Sequence, residues 1–290
     1  MINLNLENQE QVNIEDNTED IILASEALDD CLIEINEFNK ALTNTLAIRD
    51  ALSTGIISTE LLESVFNISV DKIIALESMS ADKRVSLGKK LLDRLSSYLR
   101  EIGNNKGVVI RKVREVKEYV SKNRSKPIKQ SDNLYLIGIK TNELEDAVKK
   151  IESVARNTNK DNVNENIGVL SSIVENACKK GGERGHALMH PAHTSDGMTL
   201  EHAFHYVDSY YSIYLKAFNL MYSLQTMLQT IDNKIGSHNT DKSGVKEELF
   251  HQFDITAKTK LTKSISLIKR TISAIYVCLM KWCKAILATK

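Results

Sequence analysis

Residues 255–288 read ITAKTKLTKSISLIKRTISAIYVCLMKWCKAILA and carry one continuous apolar stripe. Apolar side chains recur there at steps of three and four residues, the spacing that places them on one face of an α-helix. The stripe comprises Leu261, Ile265, Ile268, Ile272, Ile275, Leu279, Trp282 and Ile286. We therefore predict one long helix from about Ile255 to Ala288 and build the rest of the fold around it.

The composition extends this prediction to the rest of the chain. Only two prolines, Pro127 and Pro191, occur in 290 residues, and proline is the strongest breaker of helices. Alternating runs of Val, Ile and Thr, which are typical of strands, are rare. With 42% hydrophobic and 26% charged residues the chain can bury a core. We predict an all-α fold, an elongated bundle of long helices with at most one short strand, near residues 134–139.

Periodic apolar residues and turn signals place the other helices. The predicted helices cover about residues 19–52, 58–65, 69–76, 81–102, 108–120, 142–155, 163–177 and 199–231. Gly55 is predicted to end the first of them, and the segment Gly103-Asn-Asn-Lys-Gly107 is predicted to break the chain between two others. Residues 121–133 lack apolar periodicity and are predicted to form a linker.

The two ends of the chain carry opposite charge. Residues 1–80 contain 16 acidic and 3 basic residues, whereas residues 81–290 contain 22 acidic and 35 basic residues. The formal net charge of +0 is therefore the sum of a negative N-terminal part and a positive remainder. We divide the chain into an acidic helical segment (1–77), a basic helical segment (78–130) and an α-helical domain (131–290). Charge asymmetry of this kind concerns partners, solvation or processing rather than the fold.

Two basic stretches are candidate binding surfaces. Residues 81–130 hold 15 basic and 5 acidic residues, and residues 255–290 hold 8 basic residues and no acidic one. Such surfaces neutralise phosphates without reading sequence, in a salt-sensitive way, and no DNA-recognition motif accompanies them. The candidate residues for binding nucleic acid or a partner are Arg111, Lys112, Arg114, Lys117, Lys122, Arg124, Lys263, Lys269, Arg270, Lys281 and Lys284.

The C-terminal helix has two interpretations at this point. A basic amphipathic helix is suited to a partner groove, a membrane surface or a polyanion. The alternative is a terminal helix of the bundle whose solvated face is basic. The pattern alone does not separate them.

The histidines form the candidate metal site. His186 and His190 are four residues apart and His202 and His205 are three apart, so either pair can share a helix face, and neutral imidazoles bind zinc. Ala187 follows His186, so the HExxH pattern of metalloproteases is absent, and a polar loop and helix start is the alternative interpretation. No nucleophile or nucleotide-binding motif occurs. We predict no enzyme activity, no cofactor and no small-molecule substrate.

Cysteine usage and hydropathy bear on the compartment. The four cysteines, Cys31, Cys178, Cys278 and Cys283, form no CxxC pair, which favours a reducing compartment. The N-terminus lacks the basic and apolar regions of a secretory signal, and no uncharged run of about 18 apolar residues occurs. We therefore expect synthesis in the cytoplasm and no membrane insertion.

Two runs near the N-terminus resemble a known family. They are Ala51-Leu-Ser-Thr-Gly-Ile-Ile-Ser-Thr-Glu-Leu-Leu-Glu63 and Ile68-Ser-Val-Asp-Lys-Ile-Ile-Ala-Leu-Glu-Ser-Met79. Together they are similar to the N-terminal region of internal head and virion structural proteins of large tailed phages, which carry an ALxSGGIS segment, a short linker helix and an LES element. The resemblance covers roughly residues 20–80. It departs from the family at Gly55-Ile56, where a double glycine is usual.

The resemblance implies a location and a processing step. Proteins of this family often carry an acidic propeptide, which the prohead protease removes after a small or aliphatic residue, any residue and Glu. Ala75-Leu76-Glu77 fits that pattern, with Ser78 as the first residue of the mature chain, and so do Ala24-Ser25-Glu26 and Leu61-Leu62-Glu63. The resemblance therefore implies a protein made in the host cytoplasm and held inside the phage head, with packaged DNA and other head proteins as partners.

Charge and resemblance lead to one hypothesis and two alternatives. The hypothesis is a non-enzymatic virion protein whose basic helices contact DNA nonspecifically, or contact head proteins, after the acidic segment is removed. One alternative is a phage-encoded assembly or host-interaction protein that docks its C-terminal helix on a partner or a membrane. The other is a metal-dependent enzyme built on the histidines.

Overall fold

Long helices build most of the described chain, and the predicted all-α fold is confirmed. The computed structural model describes residues 14–56, 58–59, 70–129, 134–159, 161–178, 189–195, 197–236 and 253–290, with side chains from residue 21 onward except at 70–85 and 232–236. The helices are α1 (Ile14–Ser53), α2 (Val70–Lys122), α3 (Thr141–Asn157), α4 (Val163–Cys178), α5 (Leu200–Gly236) and α6 (Ile255–Leu287). The strands are β1 (Leu134–Ile137) and β2 (Met189–Ala192).

Helix α6 lies at the centre of the packing, in contact with α1, α2, α4, α5 and β1. All eight residues of the predicted stripe are buried, and each such side chain contributes about 1.5–3 kcal/mol relative to an exposed one. A second buried row, with seven-residue spacing, consists of Ala257, Ser264, Thr271 and Cys278. Its hydroxyl groups bond to backbone carbonyls one turn earlier, as buried hydroxyls in helices do. The structure therefore places α6 inside the bundle, in agreement with the second interpretation of its sequence.

Aromatic side chains of α5 and α6 hold β1 against the bundle. The indole N–H of Trp282 donates to the Tyr135 carbonyl at 3.0 Å, and the Ile137 backbone N–H donates to the Tyr210 hydroxyl oxygen at 3.2 Å. The Tyr206 ring stacks on Trp282 with 4.4 Å between ring centroids. Buried Trp and Tyr need partners for their polar atoms, and here the backbone of β1 supplies them.

Strand β1 confirms the predicted strand, at residues 134–137, and it pairs with a second strand that the sequence did not predict. The pairing is antiparallel, with Leu134 opposite Ala192 and Ile137 opposite Met189. β2 contains Pro191, which cannot donate to the ladder and disfavours a strand locally. The contact with β1, rather than the local pattern, therefore makes β2 a strand.

The predicted linker over residues 121–133 is tied to the fold along its described part. The Ile128 backbone N–H donates to the Met198 carbonyl at 2.9 Å. The ammonium group of Lys126 donates to the Thr289 carbonyl at 2.7 Å. The described part of this segment thus contacts both the start of α5 and the end of the chain.

Helix α2 runs without interruption through the segment where the sequence predicted a break. Gly103 and Gly107 are both helical. A glycine inside a helix costs about 1 kcal/mol relative to alanine, but the neighbouring side chains of Ile102 and Val109 are buried in the core. The prediction of two helices here was wrong because burial of the flanking residues outweighs the local propensity.

The predicted boundary between the helices over 69–76 and 81–102 is also absent, because both lie within the continuous helix α2. α1 ends near residue 52, as predicted, and Gly55 follows with a φ of 71°. The helix predicted over 69–76 is the beginning of α2, and the helix predicted over 58–65 lies largely outside the described residues. None of the described helices combines the length and apolar character needed to cross a membrane.

The continuity of α2 predicts the effect of Gly107→Ala. We expect this change to raise the free energy of unfolding by about 0.5–1 kcal/mol, because alanine loses less backbone entropy in a helix. The added methyl group meets no atom within 4 Å. The control is Gly55→Ala, where a φ of +71° makes the change strained and therefore destabilising. Urea denaturation followed by circular dichroism measures both, and a destabilised Gly107→Ala protein would contradict a continuous helix.

Candidate nucleic-acid and partner interface

Four basic side chains form a row on the solvent side of α2. Val109, Val113, Val116 and Val120 recur at helical spacing and are buried, so the positions between them face outward. The exposed side chains are Arg111, Arg114, Lys117 and Lys122, and we call them the α2 basic row. The row is about 17 Å long at 1.5 Å per residue. One exposed carboxylate, Glu118, lies within it and offsets one of its charges.

Lys112 and Arg124, which the sequence grouped with these residues, have acidic partners. The Lys112 ammonium lies 3.1 Å from a Glu115 oxygen, and an Arg124 guanidinium nitrogen lies 3.8 Å from Glu201. Hydrogen bonds, the stronger from Lys290 and the other from Lys112, hold the pKa of Glu115 below its ordinary value. Within the described chain the α2 basic row itself has no ion pair, so its charge is available to a partner.

Of the predicted binding residues on α6, some are exposed to solvent and others contact side chains of the same chain. Lys263, Arg270 and Lys284 are exposed. Lys281 is half-buried, with its ammonium 4.3 Å from the centre of the Tyr135 ring, a cation–π contact. These three exposed cations of the predicted set remain candidates for contact with another molecule.

Lys269 does not belong to that exposed set, because only 8% of its side chain is exposed. Its ammonium pairs with the Asp29 carboxylate and donates to the Ser25 carbonyl at 2.9 Å. A buried charge is tolerated only with such partners. Lys269 therefore fastens α1 to α6 and is not free to bind DNA or a partner, although the sequence grouped it with the surface cations.

Two adjoining grooves run along the exposed side of α6. The first, of about 630 Å³, has an apolar floor and three lysines at its rim. It is lined by Lys112, Tyr276, Val277, Met280, Lys281, Lys284, Leu287 and Ala288. The second, of about 730 Å³, lies between α1 and α6 and shares Val277 with the first. Neither groove is visible in the sequence, because the first joins α2 to α6 and the second joins α1 to α6, and these helices lie far apart in the chain.

The structure does not gather the histidines into a metal site within the described residues. His190 is exposed on β2, so it cannot share a helix face with His186, which lies outside the described residues. His202 and His205 are both exposed on α5. The described residues contain no group of three or more His, Cys, Asp or Glu side chains able to hold a metal ion.

The residues of the predicted cleavage site lie in α2. Ala75, Leu76, Glu77 and Ser78 are helical, and their side chains are outside the described set. The Glu77–Ser78 bond falls within the first three turns of the helix, and proteolysis requires an extended backbone, so cutting there requires local unwinding. The other two matches are Ala24–Glu26, inside α1, and residues 61–63, outside the described chain. The proposed division after residue 130 also falls outside it.

The four cysteines are buried, free thiols. Burial raises the pKa of Cys178 and Cys278 to about 11 and that of Cys283 to about 12. It also raises the pKa of Cys31. The thiols are therefore neutral near neutral pH and pack as small apolar side chains.

This burial predicts that the folded protein resists thiol modification. The thiolate is the reacting species, and at about pH 8 its fraction here falls well below that of a free cysteine with a pKa near 8.5. We expect all four cysteines to react rapidly with an aromatic disulfide reagent in urea. In buffer without urea we expect each of them to react much more slowly. Absorbance of the released thiolate gives the count. Rapid reaction of any cysteine in the folded chain would show that the corresponding helix is open.

Comparison with family models, curated proteins and solved structures finds no match to this chain. The resemblance of the N-terminal runs to phage head proteins therefore stays a prediction. The candidate interface rests on the exposure, charge and pairing of its own side chains.

Proposed function

We propose that this chain is a non-enzymatic phage virion protein of the head interior, which binds packaged DNA nonspecifically and contacts other head proteins through exposed basic surfaces. The observation that carries the proposal is the α2 basic row, whose four cations are exposed and have no ion pair within the described chain. The resemblance of residues 51–63 and 68–79 to phage head proteins supports the location.

The geometry of the row suits a phosphate backbone better than base edges. Duplex DNA carries one negative charge per about 1.7 Å of its axis, so a row of about 17 Å faces several phosphates at once. The row lies on the last turns of α2, whose opposite side is packed in the core. The residues that follow the row are bonded to the start of α5 and to the end of the chain, so no described arm projects from it for insertion into a groove. Binding should therefore be independent of sequence and sensitive to salt.

The two alternative functions find less support in the geometry. Docking of the C-terminal helix on a partner or membrane needs its apolar stripe, and that stripe is buried in the bundle. A metal-dependent enzyme needs converging ligands, and the histidines of the described chain are exposed and belong to no group of three or more potential ligands. Both observations favour a protein that acts through its surface.

The proposal includes removal of residues 1–77 by a cut at Glu77–Ser78. α1 contributes Leu28, Cys31 and Ile35 to the core and Asp29 to the buried pair with Lys269. Its departure would uncover apolar side chains of α2 and α6 and leave a buried ammonium without a partner. The cut would thus expose apolar surface in addition to removing negative charge. We therefore expect that surface to be covered afterwards, either by a partner or by α1 staying bound after the chain is cut.

Charge reversal in the α2 basic row tests DNA binding. We expect the wild-type protein to bind unrelated duplexes equally, with a log–log salt slope of about −3 to −4 if all four cations contact phosphates. Arg111→Glu/Arg114→Glu/Lys117→Glu should lower affinity at least tenfold and flatten the slope. Fluorescence anisotropy between about 50 and 200 mM salt measures both quantities.

The matched control for this charge change is Lys140→Glu/Lys149→Glu/Lys150→Glu, at exposed positions next to and on α3. It alters net charge equally, and we expect it to lose much less affinity. Circular dichroism checks that both variants keep their helix content. Equal losses in the two variants, or no binding by the wild-type protein at low salt, would contradict a binding role for the row.

Peptide mapping of gradient-purified particles tests location and processing separately. We expect peptides from residues 78–290, including one that begins at Ser78, and a depletion of peptides from residues 1–77. An intact N-terminus in particles would contradict the cut and leave the location standing. Absence of the protein from particles, with abundance in the infected cell, would contradict the location.

A further inference from the structure

The exposed side of α1 carries an acidic and apolar row. Ile22, Glu26, Asp30, Ile33 and Glu37 follow one another at steps of four, four, three and four residues, and all five are exposed. The two isoleucines expose 49% and 53% of their surface. The three carboxylates have no ion pair within the described chain, so both the charge and the apolar surface of this row are uncovered.

The exposed side of α6 carries a complementary basic row. Lys263, Arg270 and Lys284 are exposed, and Val277, between the latter two, exposes 38% of its surface. Residues 255–290 contain no acidic residue, so nothing within the helix balances these cations. The row is about 32 Å long, against about 22 Å for the acidic row of α1.

The two rows lie side by side on one face of the molecule. α1 and α6 are in contact, and Asp29 and Lys269 join them between the rows. Ile33 and Val277 both line the groove of about 730 Å³ that separates the helices. This face, which we call the α1–α6 face, thus has a negative side, an apolar middle and a positive side.

We propose that the α1–α6 face docks on the same face of a second copy of the chain, around a two-fold axis that passes through the groove. A two-fold contact places each patch opposite its symmetry mate. The acidic row of either copy then meets the basic row of the other, and Ile33 and Val277 are buried in the middle. The arrangement matches the charge of both rows and removes exposed apolar surface from water.

Other occupants satisfy only part of this face. An acidic helix from another protein pairs with the α6 row but is repelled by Glu26, Asp30 and Glu37. A nucleic acid meets the same repulsion and gains nothing from the exposed isoleucines. A second copy is complementary to the whole face. The inference uses neither the α2 basic row nor a location in the virion. It concerns the uncut chain, because a cut at Glu77–Ser78 would remove the α1 side of the face.

Charge reversal on either side of the face provides the test. Sedimentation equilibrium of the full chain should show a dimer whose dissociation constant rises with salt. Glu26→Lys/Asp30→Lys/Glu37→Lys makes both rows basic, and Lys263→Glu/Arg270→Glu/Lys284→Glu makes both rows acidic. Each variant alone should associate at least tenfold more weakly than the wild-type protein, because like charges then oppose each other at both contacts.

Mixing the two variants distinguishes this arrangement from a general loss of affinity. In a heterodimer both contacts regain opposite charges, so an equimolar mixture should form dimers near the wild-type affinity. Arg111→Glu/Arg114→Glu/Lys117→Glu on α2 is the control and should dimerise normally. Ile33→Asp, a single exposed change, should also weaken the dimer while circular dichroism stays constant. A monomeric wild-type protein, or a mixture that stays monomeric, would overturn the proposal.

Discussion

The burial of α6 is the constraint on which the rest of the structure depends. Only a narrow strip of the α6 surface is exposed to solvent. The rest is occupied by its apolar stripe and by the flanking buried row of Ala257, Ser264, Thr271 and Cys278. A helix apolar over so wide an arc must be surrounded, and α1, α2, α4, α5 and β1 together surround it. These five elements are thus packed around one helix.

The position of α6 also decides which surfaces remain for function. Since its apolar stripe is internal, the helix reaches other molecules only through its exposed cations and the grooves beside them. The α2 basic row faces solvent along a separate helix. Although the net charge is +0, the charged side chains are gathered on distinct surfaces. Unpaired cations lie on α2, and adjoining acidic and basic rows lie on α1 and α6. Different surfaces can then serve different partners.

Long helices were predictable because their signal is repeated many times. α1, α5 and α6 appear within a few residues of their predicted bounds, since each carries apolar residues at steps of three and four over more than eight turns. The break at Gly103–Gly107 was wrong because burial of Ile102 and Val109 overcomes a local cost of about 1 kcal/mol per glycine. β2 could not be predicted, because its Pro191 opposes a strand and only the pairing with β1 makes one.

The candidate site was predictable in composition but not in arrangement. The exposed cations of α2 follow directly from the burial of the valines between them. Lys269 looks identical in sequence to Lys263, yet it is buried against Asp29, 240 residues earlier in the chain. The grooves and the opposed rows of α1 and α6 likewise exist only because distant helices meet. A local pattern reports which side chains are present, and tertiary contact determines which of them face another molecule.

Hydrogen exchange of α6 tests the central role of this helix most directly. Amides at the centre of a cooperative core exchange only through global unfolding. Mass spectrometry of the native protein should therefore find peptides from residues 257–286 among the slowest to exchange, with an opening free energy equal to the global free energy of unfolding. Exchange of these peptides on the time scale of surface segments, while α2 and α5 remain protected, would show that α6 is peripheral and would contradict the account.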